Sequence, residues 1–134
     1  MKSLFDNWRG YKNEIKDSDN VSKAVIIKKD GALLLLRSAG EKFPNKWDLP
    51  GGHVHEGEDP KDGLIREVKE ETGVTLEEPI EKLYEEGHIT FYKASMPDVE
   101  IILSHEHDKH KFVTAENIPQ NISSKFKRAI KKAL

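Results

Sequence analysis

The chain contains no cysteine. That absence excludes a disulfide framework, a thiolate metal centre and a cysteine nucleophile together. Aromatic residues are few, 7% of 134 positions with only two tryptophans, so a core has to be built mainly from aliphatic side chains. No apolar run approaches the roughly 20 residues that a membrane-spanning helix needs. The opening Met1-Lys2-Ser3-Leu4-Phe5-Asp6-Asn7-Trp8 also lacks the continuous apolar stretch of a secretion signal. The expected setting is the cytoplasm, without a membrane partner. A net charge of −2 argues against a general polyanion binder.

Charge is what the chain has in quantity, at 34% of residues, and it is unevenly placed. Residues 52–74 hold seven acids against three bases, whereas residues 121–134 hold five bases and no acid. An acidic patch serves a phosphate substrate only if metal cations lie between the two. The basic tail reads first as a solvated helix face and second as an anion-steering surface. The length suits one domain, 1–134, large enough to bury a core without covalent staples.

Glu67, Glu70 and Glu71 are spaced by three and four, so a helix over 59–73 crowds their carboxylates on neighbouring positions. Like charges there repel, and a bound divalent cation is a reason to keep them. The helix itself has clear ends. Asp59 is an N-cap acceptor, Pro60 suits the first helical position, Asp62 adds acid to the first turn, and Gly73 is a stop. Leu64, Ile65, Val68 and Thr72 are expected to face a sheet, with the three glutamates facing outward. Gly51-Gly52 offers a turn whose carbonyls remain accessible to an ion.

The remainder reads as an α/β domain. Residues 21–27 form a buried strand, Asp30-Gly31 a hairpin turn and 32–36 its partner. A loop over 38–46 leads into Trp47. Residues 80–84, 87–94, 99–105 and 111–113 read as further strands, and 115–118 as a helical turn. Ser123 caps a final helix whose Phe126, Ala129, Ile130 and Leu134 recur at helical spacing. Residues 1–20 carry little pattern and read as an N-terminal extension of uncertain structure.

One stretch fixes many residue types at once. Gly52 is followed, after five residues, by Glu58, and after seven more by Arg66-Glu67-Val68. One spacer, Glu70-Glu71, another spacer and Gly73-Val74 complete it, with Trp47-Asp48-Leu49-Pro50-Gly51-Gly52 just upstream. The chain thereby resembles a MutT-like Nudix hydrolase, with its box at 52–74. The resemblance implies a mixed β-sheet sandwiched between α-helices. It also implies hydrolysis of a nucleoside diphosphate linked to another moiety, by water attack on a pyrophosphate phosphorus. Such chemistry asks for charge neutralisation and positioning rather than covalent help.

On the same resemblance, Glu67, Glu70 and Glu71 ligate Mg2+, or Mn2+ in its place, joined by the carbonyl of Gly51. Gly52, Glu58, Arg66 and Gly73 support the box, with Arg66 bracing Glu58. A further carboxylate from a late loop is expected as ligand or base. Glu106 is the candidate and Glu116 its runner-up, and which glutamate acts as the base stays open. Arg37 is either a phosphate contact or a strand end in solvent. His53, His55, His105, His107 and His110 admit a zinc reading, but the carboxylates already account for a harder metal.

Trp47, Phe43 and Tyr92 are candidates for holding the substrate. Tyr92 stands eighteen residues after the box, where members acting on diadenosine polyphosphates often keep a tyrosine, and the proline of ADP-ribose pyrophosphatases is absent because residue 90 is threonine. A small nucleotide, a nucleoside triphosphate or dinucleoside polyphosphate, is therefore the expected substrate. The alternatives are RNA 5′-end pyrophosphohydrolysis or decapping, ADP-ribose or FAD cleavage, and a non-catalytic nucleotide-binding module. Either a monomer or a homodimer is consistent with the sequence.

Overall fold

Apolar runs in β1 (Asp17–Lys28) and β2 (Gly31–Arg37) are nearly continuous rather than alternating. Both of their faces are covered, and alternate residues go opposite ways. Ala24, Ile26, Leu33 and Leu35 pack with Leu64 and Val68 of helix α1 (Pro60–Thr72). Val25, Ala32 and Leu34 pack with Ala129, Ile130 and Ala133 of helix α2 (Ser124–Ala133) on the other side. The computed structural model describes residues 16–134. Trp8 and most of the N-terminal extension lie outside the described residues, but 17–20, expected to be patternless, begin β1.

Among the described residues, seven strands form one mixed sheet in the order β3-β2-β1-β6-β5, with β4 on β1 and β7 on β2. Here β3 is Trp47–Asp48, β4 Gly51–His55, β5 Glu81–Glu86, β6 Ile89–Ser95 and β7 His107–Val113. Among these strands only the β1–β6 ladder is parallel. The hairpin strands β1 and β2 meet only next to their turn, at Ile27↔Ala32 and Lys28↔Gly31. Beyond that they part. The opening is filled by the chain from Trp47 to His55, which pairs with β2 through β3 and with β1 through β4. The Asp48-Leu49-Pro50-Gly51 corner is thereby fixed in the gap, where the Ala24 amide donates to Pro50 O at 2.9 Å.

Four expectations differ. Residues 99–105 form no strand, because their amides find helix carbonyls instead. Ile102 N donates to Thr72 O and Ser104 N to Glu71 O, satisfying the open C-terminal end of α1. Residues 115–118 are not helical, and the chain makes one turn closed by Asn117 N to Thr114 O. Leu134 is 39% exposed rather than on the packed face of α2, since it is the residue that ends the helix. Gly87, expected in a strand, has φ 62° and belongs to the turn between β5 and β6.

Candidate functional site

Helix α1 is held at both ends by its own sequence. Asp59 accepts from the amides of Lys61 and Asp62, Pro60 opens the first turn, and Gly73 closes the last in the left-handed region at φ 74°. Its polar side meets the glycine pair. Gly51, at φ 127°, donates its N–H to Glu71 Oε1 at 2.9 Å, and a Cβ there would fall 2.1 Å from Ser22 O. A Cβ on Gly52 would fall 2.6 Å from Glu67 Oε1, so the absent side chain is the space Glu67 fills. The missing side chains at 51 and 52 let backbone and carboxylates share one small volume.

The three glutamates do not share a face as expected. At about 100° per residue, Glu71 stands about 40° to one side of Glu67 and Glu70 about 60° to the other. Glu71 is turned inward and is 5% exposed. Glu70 is turned to solvent, where both its oxygens meet Arg66 Nη1 at 3.2 and 3.3 Å. Arg66 spans the box: it donates to both oxygens of Glu58, to Glu67 Oε2 at 3.1 Å and to His53 O at 3.0 Å. Burial alone lowers the guanidinium's proton affinity, but these acids together raise it. Burial likewise pushes Glu58 up, and the Arg66 and His55 donors outweigh it, leaving that carboxyl below its usual range.

The bond from Ser104 N to Glu71 O also fixes the next residues against the helix end. Ser38 N holds Glu106 O, and the Ser38 hydroxyl lies 2.8 Å from His105 O. A carboxylate oxygen of Glu71, one of Glu106 and a ring nitrogen of His107 consequently lie within 4.8 Å of one another. Below them is a buried ionic cluster. Lys23 Nζ donates to Asp48 Oδ1, Leu49 O and Gly51 O, each at 3.0 Å. Arg37 Nη1 reaches Asp48 Oδ2 at 3.1 Å and its Nε holds Lys42 O. Burial opposes both charges, yet Asp48 and Glu71 hold the Lys23 ammonium above its usual range. Lys23 in turn brings Asp48 down to about 2 despite its burial.

These groups floor a cleft of about 730 Å³. Arg37, Lys46 and Lys125 supply positive charge to its walls, and Phe43, Trp47 and Phe126 supply aromatic surface. Burial pushes Glu67 up to about 7, even with Arg66 beside it, and pushes Glu71 well above the carboxylate range. A buried and a half-buried acid, both held above the usual carboxylate range, with Glu106 beside them, are a donor set that suits a hard divalent cation.

Of the residues singled out in the sequence, Gly51, Gly52, Glu67, Glu71, Glu106, Arg37 and Trp47 come together at this cleft. Glu70 does not line it, for the reason given by the helix geometry. The Gly51 carbonyl, expected to be open, accepts from Lys23. Tyr92 is 5% exposed and packs with the α1-side core, away from the cleft, because it alternates with Phe91 along β6. The histidines do not gather: His53, His105 and His110 are exposed and His107 is buried. Sequence reasoning passed over Lys23, Asp48 and Phe126. A lone lysine inside the apolar run Val21-Ser-Lys-Ala-Val-Ile-Ile27 was the available signal for the first.

Solved structures share this fold. A MutT protein from Methanosarcina mazei Go1 superposes with a TM-score of 0.70 at 28% identity, covering 91% of this chain and 95% of its own. The fold and the box are therefore those of MutT-like proteins. The NUDIX domain family model matches residues 19–132, and the chain belongs to that family. A Caenorhabditis elegans protein named bis(5′-nucleosyl)-tetraphosphatase [asymmetrical] is 32% identical over 117 residues, 69% of this chain and 83% of its own. A MutT-like protein of Streptomyces ambofaciens is 43% identical over 53 residues, 40% of this chain. The chain spans about a third of that relative's length, and of several other curated relatives.

Proposed function

We propose that the chain hydrolyses a nucleoside diphosphate linked to another moiety, of the nucleoside triphosphate or dinucleoside polyphosphate class. The observation that carries this reading is the pair of α1 carboxylates, buried Glu71 and half-buried Glu67, at the floor of a cleft with basic and aromatic walls. A volume of about 730 Å³ falls in the usual range for small-molecule sites. Glu67, Glu71 and Glu106 would hold a divalent cation, Mg2+ or Mn2+. When bound, such an ion neutralises phosphate charge and lowers the pKa of a coordinated water.

The chain's own residues do the remainder. Arg37 and Lys46 face the phosphates as fixed positive charges, and Phe43, 71% exposed at the cleft, offers a ring for base stacking. Glu106 makes no ion pair among the described residues, which leaves its carboxylate free to meet a cation. Arg66 and Glu58 are positioning residues that fix the box loop to α1. Support for the substrate class comes from the name of the Caenorhabditis relative, since Tyr92 no longer speaks for it.

The test is a nucleotide panel with Mg2+ or Mn2+, read by product chromatography. It should contain dNTPs, 8-oxo-dGTP, diadenosine polyphosphates, ADP-ribose and FAD. Metal-dependent turnover of a triphosphate or dinucleoside polyphosphate is expected, with heavy-oxygen water labelling one phosphate product. Absence of turnover across the panel, or turnover indifferent to chelator, would overturn the proposal.

A further inference from the structure

The late loop brings the carboxylates one donor that a magnesium site has no use for, and it is a nitrogen. His107 is 4% exposed, and neither ring nitrogen has a hydrogen-bond partner among the described residues. Its Nε2 approaches Asp48 Oδ2 at 3.5 Å, too far for a good hydrogen bond. A buried imidazole with both nitrogens unsatisfied is costly, and in its neutral form one nitrogen carries an unused lone pair. One ring nitrogen lies within 4.8 Å of oxygens from both Glu71 and Glu106. Neighbouring donors around an octahedral ion at about 2.1 Å are roughly 3 Å apart and opposite ones roughly 4.2 Å, so the trio has to draw together around a bound ion.

We propose that Glu71, Glu106 and His107 form a mixed carboxylate–imidazole site selective for a first-row transition dication, probed with Mn2+, over Mg2+. This rests on the reading above that the cleft carboxylates hold a dication, and it adds which ion the chain prefers and why. Imidazole is a good ligand for transition dications, whereas Mg2+ favours oxygen donors and retained waters. His107 is held in place for the purpose. It begins β7, its register opposite Arg37 is fixed at the β2–β7 bulge, and its N–H bonds to Ser104 O.

The test uses the full chain, stripped of metal, titrated calorimetrically with Mn2+ and separately with Mg2+. The Mn2+ adduct is then examined by pulsed electron paramagnetic resonance for 14N coupling. Nitrogen coupling is expected in the wild-type protein, together with tighter binding of Mn2+ than of Mg2+. In His107→Gln the coupling should vanish. Removing even an outer partner of a metal ligand weakens binding by about 10–100-fold, so Mn2+ affinity should fall at least about tenfold. Mg2+ affinity should hardly change. Bound Mn2+ without nitrogen coupling in the wild type, or coupling that survives in the variant, overturns the proposal and leaves the carboxylate reading intact. Failure of the wild-type chain to bind either ion overturns both.

Discussion

Gly51 and Gly52 are adjacent, yet a methyl group at each has a different fate. At Gly51 it would enter the backbone of β1, 2.1 Å from Ser22 O, from a φ of 127° that side chains rarely adopt. Gly51→Ala should therefore lose more than about 3 kcal/mol in denaturant unfolding, or fail to fold. At Gly52 it would meet only the movable end of Glu67. Gly52→Ala should melt within a few degrees of wild type while binding metal more weakly, because the carboxylate is displaced. Glu67→Gln and Glu71→Gln should each abolish turnover in a folded protein, as circular dichroism and the nucleotide assay together would report. Full activity in both would remove them from the site. At this scale the sequence was legible where type and spacing alone decide, as for the glycine pair and Glu67. It was illegible for Glu70 and Tyr92, whose placement depends on which way an element is rotated or on strand parity against a core.

Within α1, cap, proline and terminal glycine were all readable, because each acts through the local backbone. The segment 99–105 was misread as a strand since its apolar residues do pack on the core, through Ile101 and Leu103, while its amides go to a helix end. No local pattern encodes that choice of partner. The brace across the box loop is the element on which the site's rigidity depends. Lysine cannot reproduce the fork by which Arg66 meets Glu58 twice and still reaches Glu67. Arg66→Lys should cost about 2 kcal/mol in chemical denaturation, the range for a broken hydrogen-bonded charge. It should raise the metal concentration needed for half-maximal turnover more than it lowers the maximal rate.

For the molecule as a whole, buried acids link stability to pH. Glu67 ionises at about 7 when folded and near 4.5 when unfolded, so its contribution is complete below about 4.5 and lost as pH rises through about 7. Glu71 acts in the same direction. Metal-free protein should thus lose on the order of 3 kcal/mol from Glu67 alone across that window. Added Mn2+ or Mg2+ should restore the melting temperature more at pH 8 than at pH 5. Asp48 works the other way, contributing above about 3.8 and losing its effect as pH falls towards 2. Thermal melts from pH 3 to 8, with and without metal, separate the two. Salt offers a further discrimination: turnover of free nucleotides should vary gently with ionic strength, while an RNA substrate gripped by α2 would show a steep counterion-release slope.

The parting of β1 from β2 bears on the order in which the molecule assembles. The hairpin closes over a handful of residues at Ile27↔Ala32, while Lys23 meets Asp48 only across 25 positions of chain. Short closures form early and long ones late. Asp48→Ala should then accelerate unfolding and leave the refolding rate nearly unchanged, whereas Ile27→Ala at the hairpin closure should slow refolding. Stopped-flow kinetics on the two variants would show the floor of the cleft to be among the last parts of this chain to set.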